Sequence, residues 1–396
     1  MHFLSGRRRA VRILIAVAAF PPATLYGGPA TVACQHAEAL TRLGHQVEVL
    51  TTDAGLSADQ AGRQSGEPGK GYPVTRLGAT LLGGRLPALV ALGLPAWLRD
   101  HLPQFDVVHV HFAREWFPLT VARAALQHGL PTVLQPHGMI SGTGGLRSVV
   151  DRVATRSLLR RAGAVAVLQE VEEQAVGALE PSAHLVRVPN GICLPTLPPQ
   201  GGPGEVPRQP VILFLARLHP RKRVLDFIGM AAELTRQGRE LHFRVVGPDG
   251  GDRAEAERLV QALGLQERVT FTGGLAPQAV HRELVQAAVY VLPSVEEPFP
   301  MTVLEALSLG TPTVVTETLH IRSLLEQAGA VRVAAAHPHP AVSLAEEVAF
   351  LLDQPGEAAR QAERGRQLVA QELTLDRVAQ RLEEVYLYVC THAPRH

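Results

Sequence analysis

The sequence predicts an α/β protein built from two consecutive doubly wound domains. Three observations carry this. Short apolar runs alternate with helical patterns along nearly the whole chain. Several of those runs are continuous rather than alternating, as expected for strands buried on both faces of a parallel sheet. One proline-dense segment then divides the alternation into two arrays. At 396 residues, 46% of them hydrophobic and 19% charged, the chain has material for two or three packed cores and no disorder signature.

In the first half the candidate strands are Val11–Phe20, Gln46–Thr51, Asp106–Phe112, Thr132–Gln135, Ala164–Leu168 and Leu185–Val188. Arg7, Arg8, Arg9 and Arg12 ahead of the apolar run Ile13–Phe20 have the look of a signal peptide. No small-residue cleavage pattern follows, and a strand, the glycine turn at Tyr26-Gly27-Gly28-Pro29 and an amphipathic helix over about Ala30–Leu43 explain the segment without cleavage. The apolar stretch Ala79–Leu98 is interrupted by Gly83, Gly84, Arg85, Pro87 and Pro95 and is too broken to span a bilayer. Leu194–Pro210 carries six prolines and three glycines, a density that neither helix nor central strand survives, so it reads as a linker.

Beyond it the strands resume at Val211–Ala216, Leu241–Val246, Val269–Phe271, Val289–Leu292, Thr313–Thr316 and Ala330–Val333, with helices such as Val224–Gln237 and Arg253–Leu263 between them. Val378, Leu382, Val385, Tyr386 and Val389 follow helical spacing near the end. The domains are therefore expected at 1–193 and 211–372, joined by the linker 194–210. Residues 373–396 form a last helix expected to pack across the domain junction. Two such domains should face each other across a cleft, and ligands of doubly wound sheets bind beyond the carboxyl ends of the strands.

Composition excludes several functions. Lys+Arg is 38 against 37 Asp+Glu, a net charge of +1, so the surplus of positive charge that a nucleic-acid binder uses to displace counterions is missing. Cys34, Cys193 and Cys390 are too far apart for a disulfide framework or a CxxC metal site, which suits a reducing compartment. There is no P-loop, GxSxG, HExxH or Asp-x-Asp. No cofactor and no metal motif is expected. Only two of the basic residues are lysines, Lys70 and Lys222.

Four segments that follow strands are candidates for chemistry. In Glu297-Pro-Phe-Pro-Met-Thr-Val-Leu-Glu305 a helix is expected to start at about Thr302. Its N-terminus would offer unpaired N–H groups and the positive end of the macrodipole to a phosphate. Glu297 ahead of it could accept hydrogen bonds from sugar hydroxyls. Thr302-x-x-Glu305 is also a capping box, which would explain Glu305 with no ligand at all. In Arg217-Leu-His-Pro-Arg-Lys222, two cations at a strand's carboxyl end are placed to hold a diphosphate, although a solvated basic turn is the commoner fate of such a cluster. His137 in Pro136-His-Gly-Met139 stands at a strand end beside a glycine, one of 17 histidines. Gly27-Gly28 permits close approach of a ligand, or a simple tight turn; the dinucleotide fingerprint is absent.

Taken in order, these segments resemble the GT-B-fold retaining glycosyltransferases of the glycosyltransferase 4 family, also called glycosyl transferases group 1. The likeness runs through Gly27-Gly28-Pro29, Gln135-Pro-His-Gly-Met139, Val188-Pro-Asn-Gly-Ile192, Val211 to Arg217, Val246-Gly247, Phe271-Thr-Gly273, the two-glutamate segment and Gly310-Thr-Pro312. It implies that Arg217 and Lys222 bind the donor diphosphate in place of a metal ion. Glu297 would contact the transferred sugar and Glu305 the ribose, with the backbone of Phe299, Pro300 and Met301 lining sugar and phosphate. His137 would lie near the anomeric centre, and Gly27 and Gly28 would line the donor–acceptor space. The implied reaction moves a sugar, with retention, from a nucleotide-diphosphate sugar to a saccharide, lipid-linked or small-molecule acceptor.

The chain departs from the family pattern at Glu317-Thr-Leu-His-Ile-Arg322, at Phe299-Pro300 in place of the frequent Phe-Gly, and at the glycine-rich Ser141–Gly145. These bear on specificity more than on reaction class. Two other readings compete: a two-domain binding protein that performs no chemistry, and a GT-B sugar-nucleotide epimerase or phosphorylase. Arg152, Arg156 and Arg160 recur every four residues and would make one helical face basic. That face is solvated by default; the sharper expectation is a cytoplasmic enzyme that touches anionic lipid at the inner membrane.

Overall fold

The computed structural model describes residues 10–23, 28–56, 71–81, 89–140, 154–195 and 210–392. The chain divides into two compact units: Met1–Asn190 with Leu375–His396, and Gly191–Thr374.

The first unit runs β1 (Arg12–Ala16), α1 (Gly28–Arg42), β2 (Gln46–Thr52), β3 (Val74–Leu77), β4 (Thr80–Leu81), β5 (Leu89–Val90), α2 (Leu94–His101), β6 (Val107–His111), α3 (Trp116–Gln127), β7 (Thr132–Gln135), α4 (Arg156–Arg161), β8 (Ala164–Val167), α5 (Glu170–Leu179) and β9 (Leu185–Arg187). Seven strands form one sheet in the order β3-β2-β1-β6-β7-β8-β9, while β4 and β5 pair as a small antiparallel ribbon. Every ladder of the large sheet is parallel; Ile13, for example, faces Val47 on one side and Val107 on the other. β6, β7 and β8 are buried at every position, which is why apolar residues dominate them, with His109, His111, Thr132 and Gln135 as buried exceptions.

Alternate residues of these strands fill two cores. Leu14, Val108, Val110, Leu134 and Val165 pack with Phe117 and Val121 on one face. Ile13, Ile15, Val47, Val107 and Val133 pack on the other with Val378, Leu382, Tyr386 and Val389 of the C-terminal helix Leu375–His392. That helix, expected at the domain junction, completes the first unit's core. The chain therefore crosses between units at 190/191 and again at 374/375.

The second unit runs β10 (Val211–Leu215), α6 (Val224–Arg236), β11 (His242–Val246), α7 (Arg253–Ala262), β12 (Val269–Gly273), α8 (Pro277–Gln286), β13 (Val289–Leu292), α9 (Met301–Leu309), β14 (Thr313–Thr316), α10 (Arg322–Gln327), β15 (Arg332–Ala334), α11 (Pro340–Asp353) and α12 (Pro355–Glu372); the C-terminal helix is α13. Its six-stranded parallel sheet has the order β12-β11-β10-β13-β14-β15. Ile212, Phe214, Phe227, Phe243, Val245 and Val291 form its core with Leu344 and Val348 of α11.

In each sheet the strand order reverses once, between β1 and β6 and between β10 and β13. Such switch points are where doubly wound sheets bind ligands. The expected strands are all present, with shifted ends: the Val11–Phe20 run keeps ladder geometry only over Arg12–Ala16, and the last strand lies at Arg332–Ala334. β3 was not expected. It is a half-buried edge strand carrying Arg76, so it lacks the apolar run that marks the others. Of the linker, residues 196–209 lie outside the described residues.

Candidate active site

The second unit gathers the four charged residues expected of a donor site around its switch point. Arg217 and Lys222 follow β10, and Glu297 follows β13. Lys222 Nζ donates to Glu297 Oε2 at 2.6 Å, both side chains being largely buried. The two loops are also joined through backbone, since Val295 N–H donates to the Arg221 carbonyl at 2.9 Å. On its other side the Glu297 loop holds the turn after β14, where His320 N–H donates to the Glu297 carbonyl at 3.0 Å and the His320 ring lies 3.0 Å from the Glu296 carboxylate.

Arg217 is presented differently. Its backbone is clamped by the loop after β11: Leu218 N–H donates to the Pro248 carbonyl, and Gly250 and Asp252 N–H groups donate to the Leu218 carbonyl. Gly247, at φ 149°, makes this approach possible, because a Cβ there would lie 1.9 Å from the Ala216 carbonyl oxygen. The Arg217 guanidinium itself is exposed and makes no ion pair among the described residues.

Helix α9 bears on the capping reading of Glu305. The helix begins at Met301 with Pro300 as its N-cap and has no side-chain cap. Thr302 is thus inside the first turn, and its hydroxyl shares a 2.8 Å hydrogen bond with the Tyr290 hydroxyl, which donates to the Leu215 carbonyl at 3.3 Å. No capping box forms. Glu305 is left half-buried with no hydrogen-bond partner among the described residues, and desolvation raises its carboxyl pKa. Phe299 and Pro300 are buried and Met301 is half-buried, so the backbone N–H groups of the first turn stand at the end of a tightly held loop.

In the first unit, His137 caps β7 in a turn with two successive left-handed residues, His137 at φ 54° and Gly138 at φ 75°. A histidine at positive φ is strained, and buried hydrogen bonds hold it. Glu172 accepts from Gly138 N–H and, at 2.6 Å, from Leu168 N–H. Arg114 donates to the Met139 carbonyl at 2.9 Å. The His137 Nε2 lies 2.7 Å from His111 Nδ1. Burial lowers the His137 pKa to about 3 and that of His109 to about 4, and pushes His36 and His111 well below the usual value as well. These imidazoles are neutral at physiological pH.

Gly28 opens α1, and no atom lies within 4 Å of where its Cβ would be. Gly27, Arg152 and Ser141–Gly145 lie outside the described residues. Arg156 and Arg160 are exposed on α4, with Arg156 3.7 Å from Glu180. Among the described residues no helix is long and apolar enough to cross a membrane. Sequence reasoning missed Glu172, Arg114, Tyr290 and the histidines behind His137. Only the last had a legible signal: His109 and His111 stand two apart on a buried strand, hence on one face.

Two doubly wound units with charged loops at a sheet's switch point define a two-domain sugar-transferring enzyme of the GT-B kind. Residues 202–368 match the family described as "Glycosyl transferases group 1" and residues 27–191 the "Glycosyl transferase 4-like domain". A 2-deoxystreptamine N-acetyl-D-glucosaminyltransferase of Streptomyces fradiae is 30% identical, over 76% of each chain. A 2-deoxystreptamine glucosyltransferase of Streptomyces kanamyceticus is 28% identical over 77% of this chain and 85% of its own. Among solved structures, Anabaena Alr3699/HepE in complex with UDP shares the fold with a TM-score of 0.74 at 19% identity, over 94% of this chain and 99% of that one. The chain belongs to the glycosyl transferases group 1, of the glycosyltransferase 4 type, and is a glycosyltransferase.

Proposed function

We propose that the enzyme transfers a sugar from a nucleoside-diphosphate sugar to a small polyhydroxylated acceptor, retains the anomeric configuration and needs no metal ion at the transfer step. The observation that carries this reading is the second unit's switch point. There Lys222 and Glu297 are paired at 2.6 Å beside an unpartnered Glu305, at the N-terminus of α9. Breaking a sugar–phosphate bond sends the electron pair to the diphosphate and leaves positive charge on the ring. Lys222, Arg217 and the first N–H groups of α9 are fixed positive groups for that diphosphate, already oriented before the reaction. Glu297 accepts a sugar hydroxyl and Glu305 the ribose hydroxyls, which supply the donors it lacks. His137, in the first unit, offers a neutral imidazole, suited to hydrogen bonding and not to fixed charge. The acceptor oxygen then bonds the anomeric carbon on the face the diphosphate leaves, and its proton passes to the departing phosphate oxygen.

The relatives named for 2-deoxystreptamine transfer and the structure solved with UDP support this choice of acceptor class and donor. The decisive experiment screens UDP-, GDP- and ADP-sugars by thermal shift and then follows the product by NMR. A stabilising donor and an axial-to-axial product are expected. No donor stabilisation, or an inverted product, would sink the proposal. A membrane-bound acceptor rests on Arg156 and Arg160 alone, and co-sedimentation with anionic vesicles, unchanged when both are replaced, would remove it.

A further inference from the structure

Behind His137 the first sheet carries a cluster that sugar transfer does not use. His36 on α1 and His109 and His111 on β6 are 1%, 0% and 3% exposed. One ring nitrogen of each lies within 4.8 Å of the others. His109 and His111, two apart on a strand, project to the same face. Their outer nitrogens are already engaged: His109 Nδ1 lies 2.6 Å from the Tyr386 hydroxyl and His111 Nδ1 2.7 Å from His137 Nε2. Of the nitrogens left over, Nε2 of His111 and both of His36 are buried without a hydrogen-bond partner, while His109 has the Gln135 side chain beside it. Nearly all buried polar atoms in proteins are paired. Each neutral ring offers one lone pair, and unpaired nitrogens of His36 and His111 at one place, beside His109, call for something that binds lone pairs.

We propose that His36, His109 and His111 bind one divalent transition-metal ion of the zinc type inside the first unit. The donor set is all imidazole, which suits zinc, cobalt, nickel or copper and not magnesium or calcium. The outer contacts are those of a metal-bound histidine, whose second nitrogen donates to a fixed partner. Here Tyr386 and His137 are those partners. Bonds of about 2.0–2.1 Å draw the nitrogens closer than they now stand. His36, which no side-chain hydrogen bond holds, is free to make that adjustment. The ion joins α1 to β6, and three protein ligands leave a further position for water. It also sets a tautomer: with the metal on Nε2, His111 carries its proton on Nδ1 and donates it to His137 Nε2. His137 then keeps its own proton on Nδ1.

The test uses the untagged full-length protein, purified without chelator. Elemental analysis by mass spectrometry should find one equivalent of metal per chain. After chelation, cobalt(II) should restore visible ligand-field bands typical of nitrogen ligation. Replacing His36→Leu should weaken metal affinity about 10- to 100-fold or more, taking the effect of losing an outer contact as a lower bound. The variant also discriminates by sign. If the ion is present, His36→Leu lowers the melting temperature and abolishes its rise with added zinc. If the cluster holds only water, leucine removes unpaired buried nitrogens and raises it. Wild-type protein without metal and without cobalt bands would overturn the proposal, as would full metal content in His36→Leu. Should His36→Leu not fold, His36→Asn takes its place, and the wild-type cobalt spectrum decides alone.

Discussion

The two units place opposite chemistry on the same architecture. At the switch point of the first sheet, between β1 and β6, the side chains with chemical potential are imidazoles kept neutral by burial, His137 with a pKa of about 3 and His109 of about 4. At the switch point of the second, between β10 and β13, they are charges: Lys222 paired with Glu297, an exposed Arg217 and a half-buried Glu305. The difference teaches what each unit can bind. A doubly wound sheet supplies only the location, and burial decides whether the groups placed there act as neutral hydrogen-bonding partners and metal ligands or as fixed charges for an anion.

Acid should break the comparison most sharply. The four buried histidines are neutral in the folded first unit and become protonated once exposed. Their contribution is therefore complete above the unfolded pKa of about 6.5. It declines as pH falls toward about 4 for His109 and about 3 for His137. Hydrogen exchange at pH 7 and pH 5 should show the first unit losing protection before the second; equal loss, or gain on acidification, would contradict it.

Next in size, Lys222→Ala should reduce kcat/KM by about 10²–10³-fold, the scale of losing one preorganised group that stabilises transition-state charge. The fold should be kept, because Lys222 ends a short 3-10 turn, none of whose residues is in the core. Wild-type turnover would remove the diphosphate assignment. Glu305→Gln should weaken donor binding by about tenfold, within the range for hydrogen bonds to a charged group. Its melting temperature should hold or rise, since a desolvated carboxylate is gone; a fall with unchanged donor affinity would restore a purely structural role. The smallest effect is expected for Tyr290→Phe, about 1 kcal/mol of stability from the lost hydroxyl contacts to Thr302 and Leu215. Calorimetry reads it directly, and no change would mean that the first turn of α9 does not rely on that hydroxyl.

Much of this was legible in the chain. Thr132–Gln135, Val289–Leu292 and Thr313–Thr316 are strands at the expected residues. A strand buried on both faces is mostly apolar, so its position is written in the sequence. The loops bearing Arg217, Lys222, Glu297 and His137 were identifiable because each follows such a run. The role of Glu305 was not. Capping box and ligand contact share one pattern, and only the start of α9 at Met301 and the engagement of Thr302 by Tyr290 show that no capping box forms. His109-Val-His111 was visible but mute, because its meaning depends on His36, a helix residue on another element.

The sequence by itself determined two parallel sheets, their order along the chain and the strand ends at which chemistry sits. Those follow from short apolar runs, the 3.6-residue helical period, and proline and glycine, all of which act locally. Tertiary structure alone decided that Lys222 meets Glu297 across 75 positions and that Glu305 goes without a partner. It also decided that three histidines converge and that the last helix packs into the first unit's core. The reason is physical: local rules say which face of an element is apolar, but the topology chooses what that face and its loops will touch.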